Sequence, residues 1–79
     1  MTDHLQKRSL LLAGHKTSLA LELPFWDVLQ ACAQAKGVSL AGLISAIDAE
    51  KPLDQPLASA ARLAALHYAL GVSPGGRDG

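Results

Sequence analysis

Three cationic side chains lie near the start of the chain and could bind phosphate groups: Lys7, Arg8 and Lys16. Residues 1–21 hold these three cations against one carboxylate, whereas residues 22–54 hold two cations against five carboxylates. The whole chain has no net formal charge, so its positive charge is a local feature. Cations concentrated on one part of a small protein favour a polyanionic partner such as nucleic acid.

A nucleotide-binding loop is the first alternative for the lysine in the segment Gly14-His15-Lys16-Thr17. The end of a phosphate-binding loop has a lysine followed by a hydroxyl residue, as here. That loop also needs a glycine directly before the lysine, where this chain has His15, and a helix directly after it. The residues that follow alternate as in a strand, so we do not expect nucleotide binding.

Catalytic and metal-binding patterns are not found in the sequence. Cys32 and the histidines lie at spacings that match no zinc motif, and Ser39 precedes a helical pattern as a capping residue would. We therefore expect no metal, no cofactor and no enzymatic activity. The single cysteine excludes an internal disulfide, and the apolar run at residues 10–13 is too short for a signal peptide or a membrane span.

The lysine at position 16 begins a stretch that alternates as a half-buried strand does. Its apolar face is Thr17, Leu19, Leu21 and Leu23, and its polar face is Lys16, Ser18, Ala20 and Glu22. Residues 8–12 form either a second strand, turned back at Ala13-Gly14, or an extended arm without a fixed partner. Because one strand cannot cover its own apolar face, we expect it to pair with a second copy of the chain.

Three helices are predicted after the strand, at residues 24–36, 40–50 and 57–70. Pro24 suits the first turn, Gly37 ends the first helix, and Ser39 caps the second. In the first helix Phe25 is assigned to the core and Trp26 to its edge or to a dimer seam. The apolar face of the third helix is predicted to be Leu63, Leu66 and Leu70.

The order of strand, helix, glycine turn and capped helix resembles the ribbon-helix-helix family of DNA-binding domains, and in particular a subgroup of short bacterial members. The motifs that carry the resemblance are Lys7-Arg8-Ser9, Gly14-His15-Lys16-Thr17-Ser18, Leu21-Glu22, Phe25-Trp26, Gly37, Ser39-Leu40 and Leu43. The resemblance implies an α+β, mostly helical fold with the third helix as an addition. It also implies an intertwined homodimer that shares an antiparallel β-ribbon.

The resemblance further implies a DNA-binding site, with base contacts from Lys16, Ser18 and Ala20 in the major groove. Ala20 departs from the family pattern, in which a polar or basic residue is frequent. The expected phosphate contacts are Lys7, Arg8, His15, Ser39, Leu40 and Ala41. The expected dimer core is Leu19, Leu21, Leu23, Phe25, Leu29, Leu40, Leu43, Ile44 and Ile47.

These expectations describe a small transcriptional regulator or repressor that binds double-stranded DNA as a homodimer. We expect it in the cytoplasm, associated with the nucleoid and not with a membrane. Its domain is predicted at residues 7–70, between a flexible start at 1–6 and a disordered tail at 71–79. The alternative is a protein-interaction module such as an antitoxin or adaptor. In that case the ribbon serves only dimerisation, and the C-terminal helix holds a protein partner.

Overall fold

The computed structural model describes residues 5–71, which form a hairpin of two strands followed by three helices. The elements are β1 (Leu5–Leu12), β2 (His15–Glu22), α1 (Leu23–Lys36), α2 (Leu40–Glu50) and α3 (Leu57–Leu70). This confirms the predicted α+β fold with an additional C-terminal helix. Of the segments expected to be flexible, residues 1–4 and 72–79 lie outside the described residues, whereas residues 5 and 6 lie in β1.

The sequence left open whether residues 8–12 form a strand or a free arm. In the structure they are part of a strand. β1 pairs antiparallel with β2 along its whole length, from Leu5 opposite Glu22 to Leu12 opposite His15. β2 therefore does not need a second copy of the chain to have a neighbouring strand. Ala13 and Gly14 make the turn with φ angles of 52° and 84°, the left-handed conformation that two-residue hairpin turns favour.

The alternation predicted for β2 agrees with its burial up to Glu22. Leu19 and Leu21 are buried and Lys16 is exposed, so one face of the hairpin packs on the helices. Leu23 departs from the pattern and is 47% exposed. It is the first residue of α1, and the chain turns into the helix at the following proline, so the two-residue period stops there.

The burial of the two aromatic residues of α1 is the reverse of what the sequence suggested. Trp26 is buried, with 1% of its surface exposed, whereas Phe25 is only partly buried. The buried face of α1 consists of Trp26, Leu29, Cys32 and Ala33, which recur at helical spacing. Burial of the indole is tolerated because its N–H has a hydrogen-bond partner in β1.

The bounds of α2 and α3 agree with the sequence, but the buried face of α3 does not. Ala60, Ala61 and Ala65 are buried. The leucines predicted to form the apolar face, Leu63, Leu66 and Leu70, are instead exposed by 47%, 48% and 66%. Alanines allow α3 to approach α1 and α2 closely, and this close packing turns the bulkier leucines outward.

Candidate nucleic-acid interface

The register of the hairpin determines which side chains share a face, since opposite residues of an antiparallel pair point to the same side. The inner face packs toward the helices and carries Gln6, Arg8, Leu10, Leu12, His15, Thr17, Leu19 and Leu21. The outer face is the opposite side of the hairpin and carries Leu5, Lys7, Ser9, Leu11, Lys16, Ser18, Ala20 and Glu22, the last of which also meets the helices. All three residues expected to contact bases, Lys16, Ser18 and Ala20, lie on the outer face.

The outer face presents a short ladder of polar side chains across the two strands. Ser9 lies opposite Ser18 at its centre, and both are exposed. Lys7 is exposed opposite Ala20, and Lys16 is exposed opposite Leu11, so the two lysines stand on different strands at the two ends of the ladder. Ammonium and hydroxyl groups in this arrangement can donate to base edges or to phosphate oxygens.

Arg8 does not join this ladder. Its guanidinium carbon lies 4.8 Å from the centre of the Trp26 ring, on the inner side of the hairpin. At that distance a guanidinium is attracted to the face of an indole ring. His15, also expected to contact phosphate, is exposed beside the turn and lies opposite Leu12. The structure therefore places Lys7 and Lys16 on the same face of the hairpin and Arg8 on the other.

Glu22 is the hairpin's single carboxylate, and it is bound by a side chain from α3. Arg62 donates two hydrogen bonds to it, from Nε to Oε1 at 3.0 Å and from Nη2 to Oε2 at 3.2 Å. These bonds hold the pKa of the Glu22 carboxyl below its ordinary value, and a backbone hydrogen bond acts in the same direction. The guanidinium also lies 5.7 Å from the centre of the Phe25 ring. The outer face therefore carries two unopposed lysine charges and one neutralised carboxylate.

The start of α2 is the other place where phosphate contacts were predicted. Ser39 is exposed and caps the helix, since its Oγ accepts a hydrogen bond of 2.9 Å from the Gly42 amide. Leu40 and Ala41 are half-buried in the first turn, and α2 packs against β1. The helix N-terminus provides backbone amides and a partial positive charge, which suit an anion. Phosphate binding here stays a prediction.

The residues predicted to form a dimer core are divided between the interior of a single chain and its surface. Five of them are buried within this chain: Leu19, Leu21, Leu29, Leu43 and Ile44. Phe25, Leu40 and Ile47 are partly buried, and Leu23 is exposed. Burial of the first five therefore needs no second copy, and only the remaining four leave surface for one.

Other candidate sites in residues 5–71 are few. No three histidine, cysteine, aspartate or glutamate side chains of this range cluster closely enough to hold a metal ion. None of its helices is both long and apolar enough to cross a membrane. A groove of about 550 Å³ lies between the three helices, with Cys32, Leu43 and Ala60 in its lining, and no hairpin residue contributes to it.

Comparisons with known proteins agree with this architecture. A family model described as a ribbon-helix-helix domain matches residues 5–69. The solved structure of an uncharacterized protein from Bordetella pertussis Tohama I is 32% identical to this chain and superposes with a TM-score of 0.69. The match covers 84% of this chain and 56% of that one, so this chain spans just over half the length of its structural relative. No curated protein shows significant similarity.

Ribbon-helix-helix domains are in general DNA-binding regulators or antitoxins, and they typically form homodimers. The match spans both strands and nearly all of the third helix, so it includes the outer face and the helices that support it. The chain belongs to the ribbon-helix-helix family.

Proposed function

We propose that this chain binds duplex DNA through the outer face of its hairpin and acts, as a homodimer, as a small transcriptional regulator. The observation that carries the proposal is the charge of that face. Lys7 and Lys16 are exposed on it, with Ser9 and Ser18 between them. Its one carboxylate is occupied by Arg62, so nothing on the face repels a phosphate backbone.

The shape of the hairpin supports the same proposal. Neighbouring strands lie about 4.8 Å apart, and a two-stranded ribbon fits the major groove, which is about 12 Å wide. Side chains of the outer face then meet base edges. Lys16 can donate to the acceptors of guanine, Ser18 can donate or accept, and Ala20 can contact a thymine methyl group. The amides at Ser39 and in the first turn of α2 would add a phosphate anchor.

A homodimer is proposed because β2 still has one free edge. One edge of β2 pairs with β1, and the sheet has only two strands within residues 5–71. A second copy paired along the other edge would satisfy its open backbone groups and double the number of lysines at the DNA. Exposed Leu23 and the leucines of α3 offer further apolar surface to that copy. Melting and sedimentation over a dilution series test this, because the Tm of a dimer falls on dilution.

Fluorescence anisotropy with a random-sequence duplex at several salt concentrations tests the DNA-binding proposal. Lys7 and Lys16 occur twice in a homodimer, and each neutralised phosphate contributes roughly −0.9 to the slope of log affinity against log salt. We expect a slope no steeper than roughly −3 to −4, the value reached when all four ammonium groups neutralise a phosphate. No binding at low salt, or binding that does not respond to salt, would contradict the proposal.

The alternative, a protein-interaction module of the antitoxin or adaptor type, has one supporting observation. The exposed leucines of α3, Leu63, Leu66 and Leu70, form an apolar row, but a second copy of the chain could cover that row as well. A regulator of transcription acts where the chromosome is, so the proposal places the protein in the cytoplasm at the nucleoid. A folded homodimer that binds no duplex would favour the interaction module.

A further inference from the structure

The pairing of Lys7 with Ala20 suggests a role for β1 in addition to supporting β2. We infer that Lys7 is a specificity-determining residue, whose ammonium donates to a base edge at the rung where Ala20 offers no hydrogen-bonding group. The inference rests on the proposed function and deepens it, because it names which side chain selects a base. It also changes the role expected for Lys7, which the sequence suggested was a contact to phosphate.

The register places the two residues side by side. Lys7 and Ala20 are directly opposite each other, so their Cβ atoms lie about 5 Å apart and point to the same side. The four-carbon stem of lysine is long enough to bridge that separation. The methyl group of Ala20 leaves the space above it open, so the ammonium can occupy the position from which a longer side chain on β2 would reach a base.

Two contacts on the inner side hold β1 in this register. The carbonyl oxygen of Gln6 accepts a hydrogen bond of 2.8 Å from Trp26 Nε1, and the guanidinium of Arg8 lies over the same indole. The residue between them, Lys7, must then point outward. A slip of one residue would exchange the two faces, exposing Arg8 outward and turning Lys7 toward the core. The contacts of Trp26 therefore determine that Lys7, and not Arg8, points to the outer face and toward the groove.

Lys7 lies on the same face as Lys16, Ser18 and Ala20, the residues proposed to contact bases, and this position favours a base contact over a phosphate contact. Each end of the ladder pairs one lysine with one apolar residue, Lys7 with Ala20 and Lys16 with Leu11, and the serines lie between them. The ladder thus has a lysine at each end, one from each strand, and the outer face continues beyond the rung of Lys7 and Ala20 to Leu5 and Glu22. Lysine donates to the O6 and N7 acceptors of guanine, so the base pair facing the rung of Lys7 and Ala20 should carry a guanine.

The test begins with selection of bound duplexes from a random library by the parent protein. Affinities of the parent and of Lys7→Ala are then compared for the selected duplex and for single base-pair changes in it. We expect Lys7→Ala to lower the preference at one base pair of each half-site by about tenfold, since a good lysine contact to guanine discriminates to that extent. The double variant with Lys7→Ala and Ala20→Lys moves the ammonium across the rung and should restore the preference.

Lys36→Ala is the control, because it removes an exposed cation at the end of α1, away from the hairpin and from the contacts that hold its register. It should leave every base preference of the selected duplex unchanged. The inference is overturned if Lys7→Ala weakens binding to all duplexes by one common factor, as loss of a phosphate contact would, or if Lys36→Ala removes the same preference. A parent that binds duplex without any sequence preference also overturns it, while the proposed function stands. A parent that binds no duplex overturns both.

Discussion

The indole Nε1 of Trp26 donates a hydrogen bond of 2.8 Å to the main-chain carbonyl oxygen of Gln6, and this bond joins the first strand to the first helix. It satisfies the polar atom of a side chain that is otherwise buried in the core. It also fixes the register of β1 at the end of the hairpin remote from the turn. Which cation of β1 lies on the outer face therefore depends on a residue that is buried inside the protein.

Replacement of Trp26 by phenylalanine should destabilise the fold by about 2 kcal/mol or more. The change leaves the Gln6 carbonyl without its donor and opens space beside Arg8. Urea unfolding followed by circular dichroism measures the loss, and amide exchange should show the largest increase in the first residues of β1. Val28→Ala on the same helix is the control, since Val28 is partly buried and makes no contact with the Gln6 carbonyl. Unchanged exchange in β1 would show that the indole does not hold the strand.

The pair of Arg62 and Glu22 should make stability depend on pH in the acidic range. Because hydrogen bonds from Arg62 depress the pKa of Glu22 in the folded state, the pair contributes stability at pH values above the ordinary pKa of 4.5. That contribution is lost as the pH falls through the depressed value. Glu22→Gln lacks it at every pH, so the difference in unfolding free energy between parent and variant should be larger at pH 7 than at pH 3. A difference that stays constant with pH would contradict this.

Substitutions at the two residues of the hairpin turn should change stability in opposite directions. Gly14 has a φ of 84°, and a Cβ added there would meet no atom within 4 Å, so Gly14→Ala acts through backbone conformation alone. We expect it to cost about 1 kcal/mol. Ala13 already carries such strain at a φ of 52°, and Ala13→Asn should gain roughly 0.5 kcal/mol because asparagine tolerates this conformation. Thermal melting of both variants checks the two signs.

The two faces of β2 should respond differently to substitution. Leu21→Asp places a carboxylate in a fully buried position and should cost several kcal/mol, enough to unfold so small a domain. Ser18→Ala changes an exposed side chain on the outer face and should alter stability by less than about 0.5 kcal/mol. Circular-dichroism melts compare them directly. Similar melts for the two variants would mean that the faces are assigned the wrong way round.

Local signals in the sequence predicted the elements well. Gly37 ends the first helix in a left-handed backbone conformation and Ser39 caps the second, and the structure has both in those roles. Ala13-Gly14 likewise predicted the turn, although the sequence did not decide whether a strand preceded it. These features depend on a few neighbouring residues, and such short-range rules can be applied to a single chain.

Contacts between distant residues could not be predicted in the same way. The partner of Glu22 is Arg62, 40 positions away, and no pattern in the sequence links the two. The place of Arg8 over Trp26 follows from the strand register, which depends on how β1 pairs. The buried face predicted for α3 was wrong. The spacing of apolar residues pointed to the leucines, whereas close packing of the helices buries the alanines. Each of these outcomes is a property of the assembled fold.

DNA binding by the outer face of the hairpin is tested most simply with two lysine variants. The affinities of Lys16→Ala, Lys36→Ala and the parent for a duplex are measured at low salt. Lys16 and Lys36 are both exposed, but Lys16 lies on the outer face and Lys36 at the end of α1. We expect Lys16→Ala to weaken binding by about tenfold and to flatten the salt slope, and we expect Lys36→Ala to bind as the parent does. Equal affinities for all three proteins, measured by fluorescence anisotropy, would show that the outer face of the hairpin does not bind DNA.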